Sequence, residues 1–151
     1  MADKNFALAT NGGVCTTSGN WLNDNPAIFN DGDRVYGRLA SVGTTPWAEI
    51  AFSSSSNVTS VVANIACLSA SSFSWKVHAY YGGSWNEIGS GSLSSVTQTD
   101  YTYTGTWSGV TKIKFEVISS GGTIGGSLHE FEAWGPPYRA QAPLPQWYKP
   151  A

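Results

Sequence analysis

The sequence predicts an all-β fold, an antiparallel sandwich of about eight short strands, and three observations carry that prediction. Apolar and polar residues alternate with period two in several stretches. Gly and Ser clusters interrupt those stretches at short intervals, and no window of helical period with caps stands out. Of 151 residues only 12% are charged while 13% are aromatic, which suits a polar, uncharged surface over an aromatic core and excludes disorder. A chain of this length forms one domain with room for a real core.

Taken in order, the strands begin with "WAEIAF" and "VTSVVANIACL". Alternation in the second places Cys67 on one face with Val61, Ala63 and Ile65, so Cys67 is expected to act as a small buried hydrophobe, a disulfide being the alternative. "FSWKVHAYY" puts Phe73, Trp75, Val77, Ala79 and Tyr81 on one face and Ser74, Lys76, His78 and Tyr80 on the other. The Gly82-Gly83 pair then turns the chain into "WNEIG", because a two-residue hairpin turn demands positive φ. "TDYTYTGTW" follows, and "TKIKFEV" sets Ile113, Phe115 and Val117 against Lys112, Lys114 and Glu116. "SLHEFEAWG" closes the sheet, and Pro136-Pro137 ends it because proline cannot donate to a ladder.

Net charge is −2, which leaves no electrostatic footprint for nucleic acid. "MADKNFALATNGG" has no basic start, apolar stretch or cleavage site, so the expectation is synthesis in the cytoplasm without a signal peptide. No apolar run is long enough for a membrane-spanning helix. Cys15 and Cys67, without a CxxC pair and with only two His, make a zinc site a poor fit.

Five stretches occur in a telling order: "AIFNDGDRVYG", "PWAEIAF", "VHAYYGGSWNEIG", "TKIKFEV" and "SLHEFEAWG". Together they resemble the discoidin domain, also called the coagulation-factor C-type or galactose-binding-like domain. The resemblance spans residues 5–135 and implies an eight-stranded jelly-roll sandwich over 1–135 with ligand-binding loops at one end. It also implies a structural calcium, held in carbohydrate-binding members by the Asp-Gly loop and a Glu of the last strand. The matching residues are Asn30, Asp31, Asp33 and Glu130, with Glu132 as substitute. Calcium wants six to eight oxygens, which such a loop can supply; Asn, Asp and Gly also favour plain turns, and that alternative stays open.

A ligand site is expected where sandwich loops converge, with 16–25, 69–72 and 119–126 as candidates. Trp21 offers an aromatic face for a sugar, and Asn23, Asp24 and Asn25 offer hydroxyl partners; the alternative is that Trp21 belongs to the core. One departure from sugar-binding relatives is that none of Arg34, Arg38 and Arg139 lies in strands 58–89. Catalysis finds no GxSxG elbow, and Glu130 and Glu132, two apart on a strand, fit structural contacts better than acid–base work. The chain is therefore read as a non-enzyme.

The extended C-terminal tail, residues 136–151, carries five prolines, Arg139, Leu144, Trp147, Tyr148 and Lys149, and no acid. Such a segment favours a polyproline path with projecting anchors, expected to dock on other subunits of a larger assembly. With no signal peptide, the setting this suggests is a virion: a head or tail decoration whose loops bind host-surface glycans. The alternative is a free soluble lectin or carbohydrate-binding module.

Overall fold

The computed structural model describes residues 2–67, 71–94 and 96–137. The proposed docking residues Arg139, Leu144, Trp147, Tyr148 and Lys149 lie outside them. Eight antiparallel strands form one hydrogen-bonded sheet that folds into two layers. They are β1 (Lys4–Asn5), β2 (Val14–Thr17), β3 (Arg38–Leu39), β4 (Trp47–Cys67), β5 (Ser71–Tyr81), β6 (Ser84–Leu93), β7 (Val96–Gly122) and β8 (Gly126–Gly135). The order is β1-β8-β4-β7-β5-β6, with β2 paired to β4 and β3 to β8. Two short 3-10 turns, Ala9–Asn11 and Pro26–Asn30, are the only helical pieces among the described residues.

Two strands carry the architecture. β4 and β7 are 21 and 27 residues long, well beyond the usual strand of about 3–10, because each passes from one layer to the other. The first part of β4 pairs with β2 and with Lys112–Glu116, while Val58–Cys67 pairs with the start of β7 and with β8. Register shifts between Ala51 and Ser60 let β4 bend. The sequence divides each of these strands in two, since "SSSS" and "SG" interrupt the alternation. Backbone pairing continues regardless, because ladder hydrogen bonds do not depend on what the side chains are.

The core lies between the layers as the alternation requires. Phe73, Trp75, Val77 and Ala79 of β5 share the core with their β7 neighbour Phe115 and with Leu128 and Phe131 of β8, all essentially inaccessible to water. Trp75 stacks on Phe115 with ring centroids 6.1 Å apart, and its indole N–H donates to the Tyr103 hydroxyl at 2.8 Å. That bond satisfies the one polar atom a buried indole carries. Cys67 is buried on the core face of β4, as its spacing implied. At the β5–β6 hairpin Gly82 and Gly83 take φ of 61° and 81°, the conformation expected of a two-residue turn.

Candidate functional site

Three loops are tied together at the end of the sandwich where β4 begins. Leu22 N donates to the Leu39 carbonyl at 2.8 Å and Ser41 N to the Asn20 carbonyl at 3.1 Å, joining segments 18–25 and 40–46. Gly43 N donates to the Ser120 carbonyl at 2.7 Å, and the Ser120 hydroxyl donates to the Ala40 carbonyl at 3.1 Å, adding segment 119–126. The Ser71 hydroxyl accepts from Ile124 N and Gly125 N, which holds the tip of the third loop.

Each loop presents one exposed aliphatic side chain: Leu22 at 54%, Val42 at 48% and Ile124 at 39%. They surround a cleft of about 320 Å³, completed by Leu39, Ser41 and Thr123. A second hollow of about 290 Å³ shares Leu39 and is lined by Gly37, Ala66, Gly125, Ser127 and His129. This is an apolar floor with a few hydroxyls and an imidazole, the usual division of labour in a small-molecule site.

His129 is well anchored there. Its Nε2 lies 2.9 Å from the Ser127 hydroxyl and its Nδ1 3.2 Å from the Arg34 carbonyl. A carbonyl can only accept, so Nδ1 carries the proton; the Ser127 hydroxyl, also 3.3 Å from the Ala66 carbonyl, has one proton for two acceptors when Nε2 is bare. Burial is the main cause pulling its pKa below the usual imidazole value, which agrees with that neutral tautomer. Gly37 is required by the packing, since a Cβ there would sit 2.7 Å from the imidazole ring. On either side of Gly37 stand Tyr36, 66% exposed, and Arg38, whose Nε and Nη1 donate to the Asn23 and Gly37 carbonyls.

The structure corrects the expectation for Trp21. Its ring is 3% exposed, packs on Phe29 at 5.0 Å, and donates its N–H to the Trp47 carbonyl at 3.2 Å. The bridge between Trp21 and Ala40 turns the indole inward, so its neighbour Leu22 is the one that faces water. Asn23, Asp24 and Asn25 are exposed on the same loop but line neither hollow. Asp24 accepts from the Thr17 hydroxyl at 2.8 Å, and Asn25 opens the Pro26–Asn30 turn without a side-chain cap. Sequence reasoning named loops 16–25 and 119–126 but not the 40–46 loop, and it missed Leu22, Val42, Ile124 and His129. Aliphatic residues inside Gly- and Ser-rich loops were the available signal.

The Asp-Gly loop lies elsewhere, over the outer face of β8. Asn30 is buried and donates its amide to the Ala7 and Gly13 carbonyls at 2.9 and 3.1 Å. Asp31 accepts from Asp33 N and Asp33 from Val35 N, both at 2.8 Å, so each carboxylate closes a turn. Glu130 is 1% exposed; its Oε1 accepts from Gly32 N at 3.1 Å, while its Oε2 is buried without a hydrogen-bond partner. Burial, helped by the nearby Asp31 charge, pushes the Glu130 carboxyl up to about 8. Glu132 instead pairs with Arg34 and accepts from the Trp134 indole.

Among the described residues no three His, Cys, Asp or Glu side chains gather as a metal cluster. The fit to calcium therefore divides. The orphaned Oε2 of Glu130 is the oxygen a hard cation would satisfy, whereas the Asn30 amide nitrogen is committed to carbonyls. Glu130 and Glu132 border neither hollow, and His78 and His129 stand on β5 and β8.

The eight-stranded antiparallel sandwich is a fold shared with solved carbohydrate-binding modules. The chain is similar to the family 32 module of C. perfringens NanJ, solved in complex with galactose, with TM-score 0.68 and 13% identity over 88% of this chain and 99% of that one. It is similar to chitosan-binding module 1 of the Paenibacillus sp. IK-5 chitosanase/glucanase, with TM-score 0.63 and 22% identity over 87% and 99% of the two chains. Part of an enzyme chain has the same fold: allantoicase from Saccharomyces cerevisiae matches with TM-score 0.63 and 20% identity over 88% of this chain but 43% of that one. No protein-family model matches the sequence, and no curated protein does. No helix among the described residues is long and apolar enough to cross a membrane.

Proposed function

We propose that this protein is a non-catalytic carbohydrate-binding module whose ligand seats in the loop cleft. The observation that carries this reading is the convergence of Leu22, Val42 and Ile124, all exposed, around one cleft. Gathered around one cleft, the three make a contiguous apolar patch, which marks a binding surface where scattered exposed aliphatics do not. The structural neighbours support the class of ligand, since two of them are named for galactose and chitosan. Ser41 and Thr123 supply hydroxyls within the cleft, and His129 lines the adjoining hollow that shares Leu39 with it.

A glycan array of the full chain followed by calorimetry with the best binder tests it. Ile124→Asp places a charge on the apolar floor. Binding is expected to weaken about tenfold or more, roughly 1.4 kcal/mol, with little change in melting. Unchanged affinity in a folded Ile124→Asp protein removes the cleft as the site.

We also propose one structural calcium at the Asp-Gly loop. Glu130 Oε2 and Asp31 would supply charged oxygens, with backbone carbonyls completing the shell. Such an ion would hold the loop against β8 rather than act on a ligand. A ligand bound only by the folded state raises stability by mass action, so the thermal midpoint should be higher in excess calcium than in chelator. Glu130→Gln should abolish the difference, and identical midpoints for the unaltered protein rule the ion out. The assembly-docking role of 136–151, and the virion setting that goes with it, rest on residues outside those described. No described residue favours them over a free module.

A further inference from the structure

With Trp21 in the core, the chemistry of the loop cleft narrows what it can hold. Leu22, Leu39, Val42 and Ile124 supply its walls, and Ser41 and Thr123 supply its hydroxyls. Among the described residues no charged, amide or aromatic side chain lines it. Arg38 precedes Leu39 in the chain, but its Nε and Nη1 are spent on the Asn23 and Gly37 carbonyls. The Ser41 and Thr123 hydroxyls are hydrogen-bonded to no other described residue. Each can donate one bond and accept two. The backbone bonds that tie the three loops together hold this arrangement before a ligand arrives.

A sugar carries hydroxyls around its ring, and each one taken out of water without a partner weakens binding. Without an aromatic ring the cleft cannot stack on a pyranose face, and without amides it can pair few hydroxyls. An aliphatic wall instead favours a compact apolar group, whose surface leaves water with no polar atom to satisfy. On a sugar that group is a methyl. An acetamido substituent also brings a methyl, but its N–H and carbonyl must be paired before any ring hydroxyl is. The C6 methyl of a 6-deoxyhexose brings nothing polar, so Ser41 and Thr123 stay free for the ring.

We propose that the loop cleft selects a 6-deoxyhexose, with its C6 methyl against Leu22, Val42 and Ile124 and its ring hydroxyls on Ser41 and Thr123. At about 320 Å³ the cleft is at the small end of ligand sites, which suits one sugar unit rather than a long stretch of chain. The proposal deepens the carbohydrate-binding reading and rests on it. What it adds is the basis of discrimination: a hexose with a hydroxyl at C6 would press that group onto aliphatic walls that offer it no partner.

Calorimetry of the full chain with sugars matched except at C6 tests it: L-fucose against L-galactose, L-rhamnose against L-mannose, and D-fucose against D-galactose. In at least one pair the 6-deoxy member should bind about ten- to a hundredfold tighter, the range an apolar pocket achieves for so small a difference. Leu22→Asn/Val42→Thr/Ile124→Asn changes three exposed side chains and should close that gap without loss of folding. If its melting shows that it does not fold, Ile124→Asn alone carries the same test. Val14→Ser, at an exposed aliphatic outside the cleft, should leave the gap as it was. The proposal is overturned if no 6-deoxy sugar binds, if no pair shows a gap, or if the folded variant keeps the gap unchanged. Tighter binding of N-acetyl-D-glucosamine or N-acetyl-D-galactosamine than of every 6-deoxy sugar also overturns it. In each of these cases the module reading stands as long as Ile124→Asp still weakens the best binder from the glycan array. Loss of that effect removes the cleft, and the 6-deoxyhexose with it.

Discussion

Trp21→Ala is expected to lose about 3–5 kcal/mol of stability, the range for deleting a buried aromatic ring. For a domain of this size that corresponds to a fall in melting midpoint on the order of 10 °C. The indole is 3% exposed and wedged against Phe29, so its removal opens a cavity that the bridged loop cannot close. It also removes one of two donors to the Trp47 carbonyl, which keeps Ser18 N at 3.1 Å. Trp21→Phe separates the two contributions: keeping a ring but losing the donor should cost only about 1 kcal/mol from the hydrogen bond, because the carbonyl stays bonded to Ser18 N. Thermal melts of both variants beside glycan calorimetry decide the matter. A Trp21→Ala protein that melts normally but no longer binds glycan would put the ring at the ligand, against its observed packing.

Gly13→Ala is expected to be of comparable severity. A Cβ at Gly13 would lie 2.0 Å from the Ala7 carbonyl oxygen and 2.5 Å from its carbon. These are backbone atoms, and the Asn30 amide holds both the Ala7 and Gly13 carbonyls, so neither segment can yield alone. Overpacking costs about 1–3 kcal/mol where side chains can shift, and more is expected where they cannot. Gly43→Ala is the comparison. Gly43 has φ 77° but nothing within 4 Å of the added carbon. Its cost should be near 1 kcal/mol, from backbone conformation alone. Equal losses at the two positions in urea or thermal melts would show that the close approach at Gly13 carries no special penalty.

Much of the framework was legible in the chain. Period-two alternation in "FSWKVHAYY" and "TKIKFEV" assigned core and outer faces correctly, and the paired glycines at 82–83 marked a real hairpin. These are local properties: a strand's faces follow from its own sequence, and a tight turn from its own φ angles. The length of β4 and β7 was not legible, because polar serines can stay in a ladder that only long-range pairing maintains.

The candidate site divides on the same line. Two of its loops, 16–25 and 119–126, could be named from sequence, since Gly, Ser and Asn mark where strands stop; the 40–46 loop was not among the candidates. Which side chains in those loops meet water could not. Trp21 and Leu22 are adjacent and both apolar, and only the bridge to Ala40 decides that one is core and the other rim. Arg38 and His129, distant in the chain, reach neighbouring surface because β3 pairs with Leu128 and Ser127 of β8. The sequence by itself determined the faces of the central strands and the hairpin turn at 82–83, while β1, β2 and β3 became visible only through their pairing. Tertiary structure alone decided the site, because its members come from segments whose approach depends on register between strands far apart in the chain.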